Sequence, residues 1–164
     1  MHEQQNKGYL TGEFFTTLTT KKAIIIIACV GILIFFNSLF SDFVWDDLNI
    51  ILPNADIHTF SLAKIFGPSF FNGAMVYRPM TALYFSVLYS LFNNTTFFYH
   101  LLQLTLHIVN TSLVFVLFSK LFDKKISFFL SLIFLVHPIQ VESVSYISAS
   151  DMPLFFIWNL SIYP

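Results

Sequence analysis

Apolar positions in this chain fall in long runs, and the charges gather between them. Residues 23–41 and 79–119 contain no Asp, Glu, Lys or Arg. A charge-free apolar run of about 20 residues is long enough to cross the hydrocarbon layer as a helix. The pattern predicts an all-α, polytopic transmembrane helical bundle. Spans are expected at about residues 23–40, 97–118 and 126–147. Residues 152–164 begin a further apolar run that stops too soon to cross, so a truncated span and a fragment are expected. Residues 1–20 are polar and read as a cytoplasmic tail.

Between the first two runs lies a stretch, residues 41–96, that is neither a span nor plainly disordered. It carries Asp42, Asp46, Asp47, Asp56, His58, Lys64 and Arg78 among Trp45, Ile50, Ile51, Phe60, Ile65, Phe66, Phe70 and Phe71. That mixture predicts a large first extracytoplasmic loop with short interfacial helices. Pro53 and the Gly67-Pro68 pair break it into pieces. Its last apolar part, residues 80–92, either spans or lies at the interface. Lysines gather on the cytoplasmic side of membranes. Lys120, Lys124 and Lys125 follow the run at 97–118, and placing them inside favours the interfacial arrangement. By the same bias Lys21 and Lys22 put the N-terminus inside and Asp42, Asp46 and Asp47 outside. His137-Pro138 interrupts the third run, because proline cannot donate to the helical ladder.

Composition sharpens this picture. The chain is 56% hydrophobic and 10% charged, against about a quarter charged in a soluble domain. A net charge of -1 gives no reason to expect nucleic acid as a partner. One cysteine, Cys29, sits inside the first run, which excludes a disulfide framework and a cysteine metal cluster. Lysines precede that run as in a secretory signal, but a polar tail comes first and no small-x-small cleavage site follows. An uncleaved signal anchor is the expectation.

Four acids of nine, Asp42, Asp46, Asp47 and Asp56, fall in the first loop. Carboxylates at a membrane surface suit general-base work or cation binding. Adjacent residues on a helix point about 100° apart, so one of Asp46 and Asp47 can face a cleft while the other caps, binds a metal or meets solvent. Arg78, in the triplet Tyr77-Arg78-Pro79, is the only arginine. Its fork can hold a phosphate through two parallel bonds, or it can anchor the interface or pair with a loop aspartate. His100 and His107 share a helix face with Gln103 and Asn110 nearby, and hydrogen bonds between helices are expected there. His137, Glu142 and Asp151 lie at the outer end of a span and are expected to reach the same cleft as the loop aspartates.

Four segments in this order carry a resemblance: "FVWDD", "YRPMTALYFSVLYSLF", "FYHLLQLTLHIVNTSLVFVLFSKLF" and "FLVHPIQVESVSYISASDMP". Together they resemble the N-terminal part of the C-type-fold polytopic membrane glycosyltransferases. The branch is that of transmembrane O-mannosyltransferase-like proteins, which often carry tetratricopeptide repeats. The resemblance covers residues 21–164. It implies O-mannosyl or hexosyl transfer from a lipid-phosphate-linked sugar donor to a protein or glycan hydroxyl, within membrane lipids. It also implies a multi-pass protein of the plasma membrane in a bacterium or of the endoplasmic reticulum in a eukaryote. By resemblance the catalytic acid is Asp46 or Asp47, with the lean to Asp46. Arg78 is the donor phosphate ligand, and His137, Glu142 and Asp151 are cleft residues. A divalent cation is an open cofactor. The family has many more spans, so this chain alone is expected to be inactive.

Two other readings use the same residues. A transporter piece would put acids inside spans, whereas the acids here cluster outside. A non-catalytic membrane scaffold would tolerate loss of Asp46, Asp47 and Arg78.

Overall fold

The computed structural model describes residues 18–67 and 78–162, the side chains of residues 56, 158 and 160–162 excepted. The tail residues 1–17, the side chain of Asp56, and Pro68, Phe70, Phe71 and Tyr77 lie outside the described set. Every regular element within it is helical.

Helix α1, Thr20–Phe35, starts where the Thr19 hydroxyl accepts the Lys22 amide at 3.3 Å. A 3-10 turn, Phe36–Phe40, extends it to 21 residues, about 31 Å at the usual rise. Three short helices follow: α2 (Asp47–Ile50), α3 (Ala55–His58) and α4 (Leu62–Ile65). Helix α5, Pro79–Phe92, begins with proline at its first position, where the missing N–H costs nothing. At 14 residues it reaches about 21 Å, short of the roughly 30 Å hydrocarbon layer. Asn93 ends it at φ 50, and Tyr99 Oη donates to the Asn93 carbonyl at 2.8 Å to fix the corner.

Helix α6, Thr96–Phe118, is the 23-residue axis of the molecule. Helix α1 with its extension and α6 are both long and apolar enough to cross a bilayer. Helix α7, Lys124–Val136, starts at Asp123, whose carboxylate accepts the Lys125 and Ile126 amides at 2.9 and 3.0 Å. It stops at His137, because the residue before a proline is pushed to extended backbone. The run at 126–147 is therefore divided: the 13-residue α7, a turn, and then α8, Gln140–Ser145. A 3-10 turn, Ile147–Ala149, leads to α9, Asp151–Ile162.

Helices α1, α7 and α9 pack around α6. Ala23, Ile27, Gly31 and Phe35 recur every four residues on the buried side of α1, while Ile25 and Leu33 face outward. A Cβ on Gly31 would stand 3.1 Å from Ile108 and 3.4 Å from Leu135, so glycine lets α1 sit close to its two neighbours. A second apolar cluster joins Ile51 and Ile57 of the loop region to Phe85 and Leu88 of α5, Tyr99 of α6 and Ile147. His58 stacks on Tyr89 at 3.7 Å between ring centres and takes its place through the Ile51 carbonyl at 3.0 Å. The described part of the first loop is thus a folded cap on α5 and the end of α6.

Candidate functional site

The site is built on the Trp-Asp-Asp turn that follows the first long helix. Trp45 has φ 48, a left-handed conformation that is strained for a bulky side chain. That twist starts α2 so that its first residue, Asp47, points inward and Asp46 outward. Asp47 has no solvent exposure. Its Oδ2 accepts the Val44 amide at 3.1 Å, and its Oδ1 accepts the Ser148 amide at 2.8 Å. The Ser148 hydroxyl donates a further, very short bond to the same Oδ1. These donors satisfy a buried carboxylate that would otherwise carry a desolvation cost of about 1–3 kcal/mol or more. They also tie residue 47 to residue 148.

Asp46 is exposed and makes no cap bond to α2. Tyr146 and Ser148 were not singled out from the sequence, although both sit inside the "VSYISASD" segment. The signal available was their place between two expected site residues, Glu142 and Asp151.

Arg78 and Asp151 meet in an ion pair, Nη1 to Oδ2, at 2.7 Å. The guanidinium side chain is 49% exposed and the carboxylate side chain 31%. Arg78 precedes α5, and Asp151 opens α9. His137 is exposed, and its Nδ1 accepts the Ile139 amide at 3.3 Å in the turn between α7 and α8. Glu142 is exposed on α8. Among the described residues no hydrogen bond or ion pair carries His137 or Glu142 to the Asp46–Asp47 turn. No three His, Cys, Asp or Glu side chains converge as metal ligands among the described residues.

The polar face of α6 supports this end from below. Gln103 takes the Tyr84 hydroxyl at 3.4 Å and donates to the Tyr146 carbonyl at 3.3 Å. His107 Nε2 meets the Leu135 carbonyl at 3.1 Å, and Asn110 donates to the Pro153 carbonyl at 3.1 Å. Three of the four expected interhelix bonds therefore form. His100 departs from the expectation: it is buried, and neither ring nitrogen has a hydrogen-bond partner among the described residues. A cavity of about 100 Å³ opens beside His107, between Phe134, Gln140, Ser143, Met152 and Phe156.

No family model matches the chain, and no solved structure does. Curated relatives do. The human "Protein O-mannosyl-transferase TMTC3" is 39% identical over 133 residues, which is 76% of this chain and 14% of that protein. The Caenorhabditis elegans "Protein O-mannosyl-transferase F38B6.6" is 30% identical over 150 residues, 84% of this chain and 22% of that protein. The human "Protein O-mannosyl-transferase TMTC2" is 30% identical over 149 residues, 83% of this chain and 18% of that protein. The chain spans between a seventh and a quarter of the relatives' length. With its two long apolar helices it is a membrane protein, and over the matched residues it is similar to the TMTC-type protein O-mannosyl-transferases.

Proposed function

We propose that this chain is the front part of a multi-pass membrane glycosyltransferase. The parent protein moves a mannosyl or other hexosyl group from a lipid-phosphate-linked donor to a protein or glycan hydroxyl. The kinship to proteins named O-mannosyl-transferases carries the reading. In this arrangement residues 1–20 are a cytoplasmic tail. Residues 23–40, 97–118 and 126–147 cross the membrane, the last with a break at Pro138, and residues 152–164 begin another crossing. Residues 41–96 form the outer loop, with α5 lying at the interface. The length of α5 and its packing on the loop helices support that placement. The lysine pairs at both ends keep the N-terminus cytoplasmic.

In the reaction Asp46 is the base. The acceptor hydroxyl gives its proton to the Asp46 carboxylate as its oxygen attacks the anomeric carbon. The bond from that carbon to the donor phosphate oxygen breaks, and the lipid phosphate departs with the electron pair. Arg78 holds the departing charge. One displacement with one base inverts the anomeric centre. Asp47 is unsuited to the proton transfer because its oxygens are already taken up by Val44 and Ser148. Asp46 is exposed beside it and keeps acceptor capacity.

The test is transfer of mannose from a polyprenyl-phosphate mannose donor by the full-length parent in membranes. Asp46→Asn is expected to lower the rate by about 10²–10⁴-fold without loss of folded protein, the range for a general base. Wild-type rates in that variant would remove Asp46 from the reaction. A parent without transfer whose membrane assembly survives Ala at Asp46 and Arg78 would be a scaffold.

A further inference from the structure

Two contacts leave one short segment, residues 146–151. Ser148 binds Asp47, and Asp151 binds Arg78. The segment is stiffened by its own backbone bonds, Ala149 N to the Tyr146 carbonyl and Ser150 N to the Ile147 carbonyl, both 3.1 Å. Ile147 is buried in the same cluster that holds Ile51 and Tyr99, so the segment is anchored in the cap. It therefore touches both the acid turn and the only arginine of the chain.

The ion pair at its far end is half open to solvent. A pair at that exposure adds little to stability. Geometry is where it acts. The bond to Asp151 engages one terminal nitrogen, Nη1, and holds that end of the guanidinium beside α9. An arginine has five donors in a rigid fork, and among the described residues no bond takes the donors on Nη2 and Nε, which can receive an anion. Asp151 stands in the first turn of the 12-residue α9, where the helix dipole favours a negative side chain and holds the carboxylate in position.

Resting on the donor reading above, we infer that Asp151 is a positioning residue: it aims Arg78 at the donor's phosphate. Through residues 146–151 it sets the spacing between that phosphate and the base on the Trp-Asp-Asp turn. The ligand class is a lipid monophosphate monoester or its hexosyl diester. Asp151 does not touch the reacting atoms.

The experiment measures binding of polyprenyl monophosphate in detergent micelles to the full-length parent and its variants, together with KM, kcat and melting temperature. Arg78→Ala is expected to abolish binding. Asp151→Asn is expected to weaken binding, raise the donor KM about tenfold and lower kcat as well, with melting temperature close to the parent's. Asp151→Glu restores most of the affinity, because it returns a carboxylate to the fork. Arg78→Lys keeps the charge but not the fork, and loses affinity as Asp151→Asn does. Parent-like binding in Asp151→Asn, with none in Arg78→Ala, overturns the positioning role and leaves the donor reading standing. Parent-like binding in both variants overturns the donor reading at Arg78 as well. A lowered melting temperature with an unmoved KM makes the pair structural and overturns the inference.

Discussion

The polar groups of this protein live in two regions that treat them differently. Along α6, within the bundle, Gln103, His107 and Asn110 spend their hydrogen bonds on carbonyls of other segments: Tyr146, Leu135 and Pro153. At the loop end, Asp46 stays exposed and Arg78 half-exposed, while Asp47 beside the first is tied to Ser148 and Asp151 pairs with the second. The first region uses polarity as glue between helices. The second keeps one carboxylate and one guanidinium accessible and sets a buried or anchored companion beside each. Chemistry needs available lone pairs and donors, and these are found at the loop end.

The contrast is broken most strongly at the adjacent aspartates. Asp46→Asn is expected to cost two to four orders of magnitude in transfer by the full-length parent while its thermal unfolding stays near normal. Asp47→Asn is expected to do the reverse in origin. Its new amide would set N–H donors against the Val44 or Ser148 amide, stranding a buried donor. A loss of about 2–3 kcal/mol is expected, read as a lower melting temperature and faster hydrogen exchange at residues 44–50 and 147–149. Activity would then fall with the folded fraction. Equal stability of the two variants would erase the distinction between them.

The bundle side is sharpened by His107→Phe. The ring contacts to Phe35 and Phe134 persist, and only the bond to the Leu135 carbonyl is lost. About 0.6–1 kcal/mol is expected from stability, with transfer unaffected, since a single interhelix bond in a membrane is worth little more.

Part of this arrangement is legible in one dimension. The apolar runs at 23–40 and 97–118 fold as the two long helices, and His137-Pro138 ends α7 where backbone sterics require it. The acid turn stands out because carboxylates are rare in the chain. Which aspartate turns inward is not legible. Periodicity says that neighbours diverge, but the choice is made by Trp45 at φ 48, a conformation no propensity assigns to tryptophan. Nor does the sequence announce that residue 47 meets 148 or that 78 meets 151. Those contacts depend on how α5, α6 and α8 fold back on one another, and separation along the chain carries no sign of it. His100 shows the opposite failure. Its helix-face spacing with His107 predicts a shared role, yet only His107 finds a carbonyl opposite.

The left-handed turn at Trp45 has a practical corollary. It leaves the indole 81% uncovered, one residue from Asp46. The chain has two tryptophans, so Trp158→Phe makes Trp45 the sole indole emitter. Lipids brominated at graded depths along their acyl chains would then quench in proportion to proximity. The fluorophore becomes a ruler built into the backbone kink, measuring how far Asp46, the proposed proton acceptor, stands from the oil.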